Sequence, residues 1–315
     1  MNRFIRDRNR RSSSEATTAS ADPGPGVPTF HSNESGRRAH LSTASQSPLR
    51  SGRIREELAS NEGGVSFYSY TPRSASQTTG HSLLVTVHGI SRNALEVITQ
   101  FAPHAEERGF IVIAPQFGEG EFDDYQRLGR MGHGQRADCA LNDAVDSFSR
   151  SRGIEFDRQF YFGFSGGGQF VHRYAMAYPE RVSAAIIAAA GWYTSPDSRR
   201  RYPRGLRVAG ALPGVRLDPE RFLQVPILTV VGDRDVTRDA SVRVRPWLDR
   251  EQGRSRVARA KRWTRLMRDA ADRIGVDGRH EFAELPGAGH SFSDCMRAGL
   301  AELLFAFIER SERHL

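Results

Sequence analysis

The stretch YFGFSGGGQF, residues 161–170, places one serine, Ser165, among four glycines at the end of an apolar run. Glycine is used where a backbone turns sharply or is approached closely. The apolar residues before it, QFYFGF (159–164), read as a buried strand, and GGGQFVHRYAMAYP after it opens a helix. Gly163-Phe164-Ser165-Gly166-Gly167 is therefore a G-x-S-x-G run in a strand–turn–helix context. In that context the run is a nucleophile elbow: small neighbours let the chain fold back and leave the serine hydroxyl exposed at a helix N-terminus. The helix field there favours developing negative charge. The competing reading is a glycine-rich turn that cradles phosphate. The position after a mid-sheet strand and the lack of an acidic ribose partner weigh against it.

The same alternation extends in both directions from the elbow. VSFYSY (65–70), HSLLVTVHG (81–89), FIVIAPQF (110–117), VSAAIIAAAG (182–191), VPILTVVGD (225–233) and HEFAELPG (280–287) read as strands. Helices are expected over 93–108, with Asn93 as cap and Pro103 as a perturbation, and over 137–150, 254–274 and 293–311. Strands that are apolar throughout and alternate with helices predict a parallel sheet covered on both faces. The expected fold class is α/β: one doubly wound, mostly parallel domain from 57 to 315. Two irregular stretches interrupt it, at 118–136 and 192–222. Both follow strands, so both are expected as covers at the carboxyl end of the sheet, where ligands bind.

A serine hydroxyl needs a base, and the base needs an orienting acid. An elbow of this kind takes them in the chain order serine, acid, histidine. VVGDRDVT ends a strand with Asp233 and Asp235, and LPGAGHSF places His290 in a loop after the last strand. Asp235 is preferred as the acid because its offset from Gly232 lets the carboxylate swing off the strand end. Asp233 is read as a turn residue, and Asp197 is an outside candidate. His104, His172 and His280 lie on or beside regular elements, and His133 lies in the first insertion. An acyl-transfer site also needs an oxyanion hole. VHGIS (87–91) supplies the backbone N–H of Ile90, and Gly166 supplies the other; His88 is read as structural. Trp192 and Tyr193, after the neighbouring strand, and Ser91 are candidate substrate-binding residues, with Phe122, Tyr125 and Leu128 as further walls.

Over residues 64–315 the chain resembles the α/β-hydrolases, on HGIS, GFSGGG, GDRD and GAGHSF in that order. It is most similar to the esterase branch of polyhydroxybutyrate depolymerase-like and feruloyl-esterase-like proteins. The resemblance implies a serine hydrolase with Ser165 as nucleophile, Asp235 as acid, His290 as base, and Ile90 and Gly166 as oxyanion donors. It implies cleavage of a carboxylic ester through an acyl-enzyme. Peptide, amide and thioester cleavage, and a non-catalytic binding module on the same fold, are the alternatives. The chain departs from the lipase-like pattern in lacking an HGGG run, and no apolar signal core follows Met1.

Composition sets the remaining expectations. The overall charge is +8. Residues 1–56 hold ten arginines against five acids, a net of +5, which leaves +3 for the other 259 residues. The folded body is therefore not expected to bind nucleic acid; a small-molecule or acyl-ester substrate is its expected partner. Residues 1–56 are rich in Arg, Ser and Pro and read as a disordered leader or an over-long start. The acids within it argue against a transit peptide. No run approaches a membrane span, and a cytoplasmic location is expected. Cys139 and Cys295 read as free buried thiols. No metal-ligand spacing appears and no cofactor is expected. The arginines at 199, 200, 201, 204 and 207 in the second insertion raise the prospect of an acidic substrate, and the basic helix 254–274 reads as carrying a solvated face.

Overall fold

The computed structural model describes residues 51–59, 64–75 and 80–313. Most of the expected leader lies outside the described residues. Its last six positions do not, and three of them belong to a strand: Ile54–Leu58 (β1) is paired antiparallel with Ser66–Tyr70 (β2), Ile54 opposite Tyr70. The ordered domain thus begins before residue 57. IREEL escaped the sequence reading because it is short, mostly charged and lies on the sheet edge, where burial imposes little pattern.

The remaining elements follow in chain order. They are His81–Val87 (β3), Ala94–Arg108 (α1), Ile111–Pro115 (β4), Ala137–Arg152 (α2), Phe156–Phe164 (β5), Gly166–Ala177 (α3) and Ala184–Ala188 (β6). After them come Pro219–Phe222 (α4), Ile227–Gly232 (β7), Pro246–Gln252 (α5), Arg256–Ile274 (α6), His280–Leu285 (β8), Phe292–Arg297 (α7) and Leu300–Glu312 (α8). The eight strands run in the order β1-β2-β4-β3-β5-β6-β7-β8. Only β1 with β2 and β2 with β4 are antiparallel; β4 to β8 are parallel. Asn93 caps α1, its side chain accepting from Glu96 N, and Pro103 sits inside that helix without ending it. The expected closing helix is two helices, because Gly299 breaks it with φ 91°.

Side-chain contacts sort the helices onto the two faces. Phe101 of α1 packs on Phe162 and Phe292, and Phe110 packs on Phe305 of α8. Across the sheet, Tyr174 of α3 donates to Asn142 of α2, and His172 meets Trp263 of α6 edge-on. Strands β3, β4, β6 and β7 and the second half of β5 are almost wholly buried, as parallel strands covered on both faces must be.

The two insertions pack onto the core and onto each other. Phe122, Tyr125 and Leu128 of the first and Tyr202, Leu206, Leu212 and Leu217 of the second are buried. Met131 N donates to Ala211 O, Arg136 to Pro213 O, and Tyr202 Oη to Arg127 O. Cys295 is buried and free as expected, whereas Cys139 is free but exposed. The basic face of α6 is not uniformly solvated: Arg256 and Arg259 are buried. Among the described residues no helix is long and apolar enough to cross a membrane.

Candidate active site

Strand β5 ends at Phe164 and α3 begins at Gly166, leaving one residue for the turn. Ser165 takes it with φ 53° and ψ −108°. A non-glycine residue in such a region carries strain of about 1–3 kcal/mol and persists only where its surroundings hold it. Here they do. Ser165 N donates to Ala188 O at 2.8 Å, and Gln169 N donates to Ser165 O at 3.1 Å. A Cβ on Gly163 would strike Gly167 O, one on Gly167 would strike Val87 O, and one on Gly166 would strike Tyr125 Oη. The glycines let strand, helix and the β3 end close on one another, and this compression holds the serine in its turn.

The hydroxyl so presented meets His290, with Ser165 Oγ 3.0 Å from His290 Nε2. His290 comes from the loop after β8, and its ring stacks on Phe164 with centroids 5.2 Å apart. Its other nitrogen, Nδ1, stands 2.7 Å from Asp235 Oδ2 at the end of β7. Asp233 does something else: its Oδ1 accepts the N–H of Gly287 at 2.8 Å, tying the end of β7 to the β8 turn. Asp197 pairs with Arg199 and Arg200. The structure thus brings Ser165, His290 and Asp235 into one hydrogen-bonded line and leaves the other two carboxylates outside it.

The loop after β3 brings Ile90 to the same place: a Cβ built on Gly166 would lie 3.2 Å from Ile90 N. Neither the Ile90 nor the Gly166 N–H donates to an acceptor among the described residues. His88 fixes this loop. Its Nε2 accepts from Phe117 N at 3.0 Å, so Nδ1 carries the proton and donates to Gly89 O at 2.8 Å. Burial lowers its pKa to about 4, so the ring stays neutral. His172 repeats the device, accepting from Thr194 N at 3.0 Å and donating to Gly168 O at 2.8 Å.

A cleft of about 280 Å³ opens onto Ser165 and His290, with Ile90, Ser91, Phe164 and Phe292 among its lining residues. Trp192 and Tyr193 do not line this cleft. Tyr193 is fully buried, stacked on Trp263 at 4.7 Å and clamped by Gln252, which accepts from its N–H and donates to its carbonyl. Trp192 is buried among arginines and Trp247. Residues 195–200 of the second insertion line a separate hollow of about 590 Å³ that contains none of the three aligned residues.

One residue at the site went unassigned in the sequence. Arg256, at the start of α6, donates from Nη1 to Asp235 Oδ1 at 2.9 Å and to Asp239 Oδ2 at 3.2 Å, and from Nη2 to Ser241 Oγ. Arg256 and Asp235 are both buried, so Asp235 has a partner on each oxygen. The signal was available: Arg256 and Arg259 fall on the same helical stripe as Ala260, Trp263, Met267 and Ala270.

No family model matches the chain, and no curated protein matches it. Solved structures do. A poly(aspartic acid) hydrolase from Sphingomonas sp. KT-1 is 25% identical with a TM-score of 0.70, over 82% of this chain and 100% of that one. The fold is that of the α/β-hydrolases. A poly(3-hydroxybutyrate) depolymerase from Bordetella parapertussis shares this α/β-hydrolase fold at 24% identity and TM-score 0.68, over 82% of this chain and 91% of that one. An S-formylglutathione hydrolase from Agrobacterium tumefaciens shares it at 16% identity and TM-score 0.54, over 82% and 94%. The α/β-hydrolases that this chain resembles are hydrolytic enzymes, esterases among them.

Proposed function

We propose that this α/β-hydrolase is a serine hydrolase that cleaves a carboxylic ester through an acyl-enzyme on Ser165. The observation that carries the reading is the line Ser165–His290–Asp235, at 3.0 and 2.7 Å, beside two unengaged backbone N–H groups. His290 Nε2 takes the hydroxyl proton as Ser165 Oγ attacks the carbonyl carbon. The Ile90 and Gly166 N–H groups receive the oxyanion, the role for which preorganised donors matter most. Asp235 holds the imidazole in the tautomer that leaves Nε2 free to accept, and then stabilises the imidazolium. His290 gives the proton to the departing alkoxide, then activates water to release the acid and free Ser165.

An ester is favoured by the resemblance to a poly(3-hydroxybutyrate) depolymerase. Amide cleavage on the same residues is the second reading, favoured by the likeness to a poly(aspartic acid) hydrolase. The proposed domain is the body from about residue 51 onward, with the segment before it as a leader. A soluble cytoplasmic setting and a small-molecule acyl substrate complete the proposal.

The test is turnover of 4-nitrophenyl acyl esters of increasing chain length by wild type, Ser165→Ala and Asp235→Asn. Loss of activity in Ser165→Ala and a loss of about 10³–10⁴-fold in Asp235→Asn are expected. Equal turnover by the three proteins contradicts the proposal.

A further inference from the structure

Positive charge is not spread evenly over the two insertions. Of the five arginines that stand out in the sequence, in 197–207, three are paired: Arg199 and Arg200 with Asp197, and Arg200 and Arg204 with Glu251. A different set converges on Trp192. The guanidinium of Arg173 lies 4.5 Å from the centre of its ring, that of Arg243 5.5 Å and that of Arg127 5.9 Å. Asp124 answers only part of this charge, binding Arg127 and Arg130. Arg173 is fully buried, donates to Thr194 Oγ1 and to the carbonyls of Gln126 and Gln169, and has Nη2 without a partner among the described residues. Arg243 is exposed, and no carboxylate pairs with its guanidinium among the described residues. Partial burial of its guanidinium against Trp192 lowers the proton affinity of Arg243, and Arg127, Arg245 and Arg130 lower it further. Like charges held this close repel unless an anion joins them.

Three chain connections tie this cluster to Ser165. Tyr125, whose hydroxyl lies against Gly166, precedes Arg127 by two residues. Ser241, which lines the cleft, precedes Arg243 by two. Trp192 follows β6, whose Ala188 carbonyl receives the Ser165 N–H. Two residues span at most about 7 Å, so the backbones of Arg127 and Arg243 lie within about that distance of Tyr125 and Ser241, which border the nucleophile and its cleft. The cleft itself has Glu96 and no arginine among its lining residues, so an anionic group is repelled there and drawn to the Trp192 side.

We propose that Arg243, with Arg127 and Arg173 around Trp192, forms a subsite for an anionic oxygen group, a carboxylate or a phosphate, on one arm of the substrate whose acyl carbonyl sits at Ser165. The other arm occupies the small cleft toward Phe164 and Phe292. This deepens the proposed hydrolase function and rests on it. Guanidinium forks suit such groups because they donate in pairs in a fixed geometry.

The test has a kinetic arm and a binding arm. In the first, kcat/KM for mono(4-nitrophenyl) glutarate is compared with that for the neutral 4-nitrophenyl pentanoate, in wild type and in Arg243→Ala, a change at an exposed loop position. The expected ratio favours the glutarate ester on the order of tenfold and falls toward parity in Arg243→Ala and at high salt. In the second, calorimetry on Ser165→Ala follows glutarate, inorganic phosphate and neutral glutaramide. Glutarate or phosphate is expected to bind more tightly than glutaramide, the tighter of the two naming the group, and to lose that advantage when Arg243→Ala is added. An unchanged kinetic ratio in Arg243→Ala, with no anion binding tighter than glutaramide, overturns the subsite and leaves the hydrolase reading intact. Anion binding lost with Arg243, in a protein that turns over no ester, supports the anion site and sinks the ester-hydrolase reading.

Discussion

At the residue scale, Arg256 extends the hydrogen-bonded line of Ser165, His290 and Asp235. It places a cation on the oxygen of Asp235 that His290 does not use, and it carries Asp239 and Ser241 on its other donors. Its hydrogen bond fixes the carboxylate plane, and Arg256→Met removes that bond. We expect kcat to fall on the order of tenfold as Asp235 loosens, and breaking the buried pair to lower stability by about 3–5 kcal/mol. A purely structural arginine would lower stability and leave kcat of the folded enzyme in place. Ser165 and His290 were legible in the sequence because strand ends and glycine turns mark them. Arg256 was not, because an arginine in an arginine-rich helix looks solvated until the stripe it belongs to is traced.

At the scale of elements, the elbow is a packing device before it is a chemical one. Gly166 lacks a side chain because Tyr125 Oη occupies the space, the hydroxyl donating to His88 O at 3.3 Å. Gly166→Ala should therefore lower the melting temperature and abolish ester turnover, and adding Tyr125→Phe should restore part of both. If the double variant is no better than the single one, crowding by the hydroxyl is not why glycine stands there. The elbow, the strands around it and the capped α1 could be read from the sequence because glycine spacing, apolar runs and Asn93 are local signals. The insertions could not. Trp192 and Tyr193 looked like pocket walls, but Trp263, Gln252 and a ring of arginines take them into the core. Those partners lie far away in the chain, and no local pattern announces them.

At the scale of the whole molecule, three histidines are buried neutral in the parallel sheet domain. Burial holds His88 and His280 at about 4 and His172 well below the ordinary 6.5. Between pH 6.5 and 4 the unfolded chain binds protons that the folded chain excludes, so stability falls as pH is lowered through that window. The urea midpoint should be lower at pH 5 than at pH 7, and equal midpoints would contradict the neutral burial of these rings. The α/β-hydrolase plan was readable at this scale because buried parallel strands leave continuous apolar runs. Its first strand was not, since β1 borders an arginine- and serine-rich segment whose composition hides five short edge residues. The proposed hydrolase requires an activated Ser165. A fluorophosphonate probe followed by intact-mass and peptide mapping of wild type, Ser165→Ala and His290→Ala tests this. One adduct per wild-type chain, on Ser165, is expected, and none on either variant. A folded wild type that takes no adduct, or an adduct that persists in Ser165→Ala, would contradict the proposal.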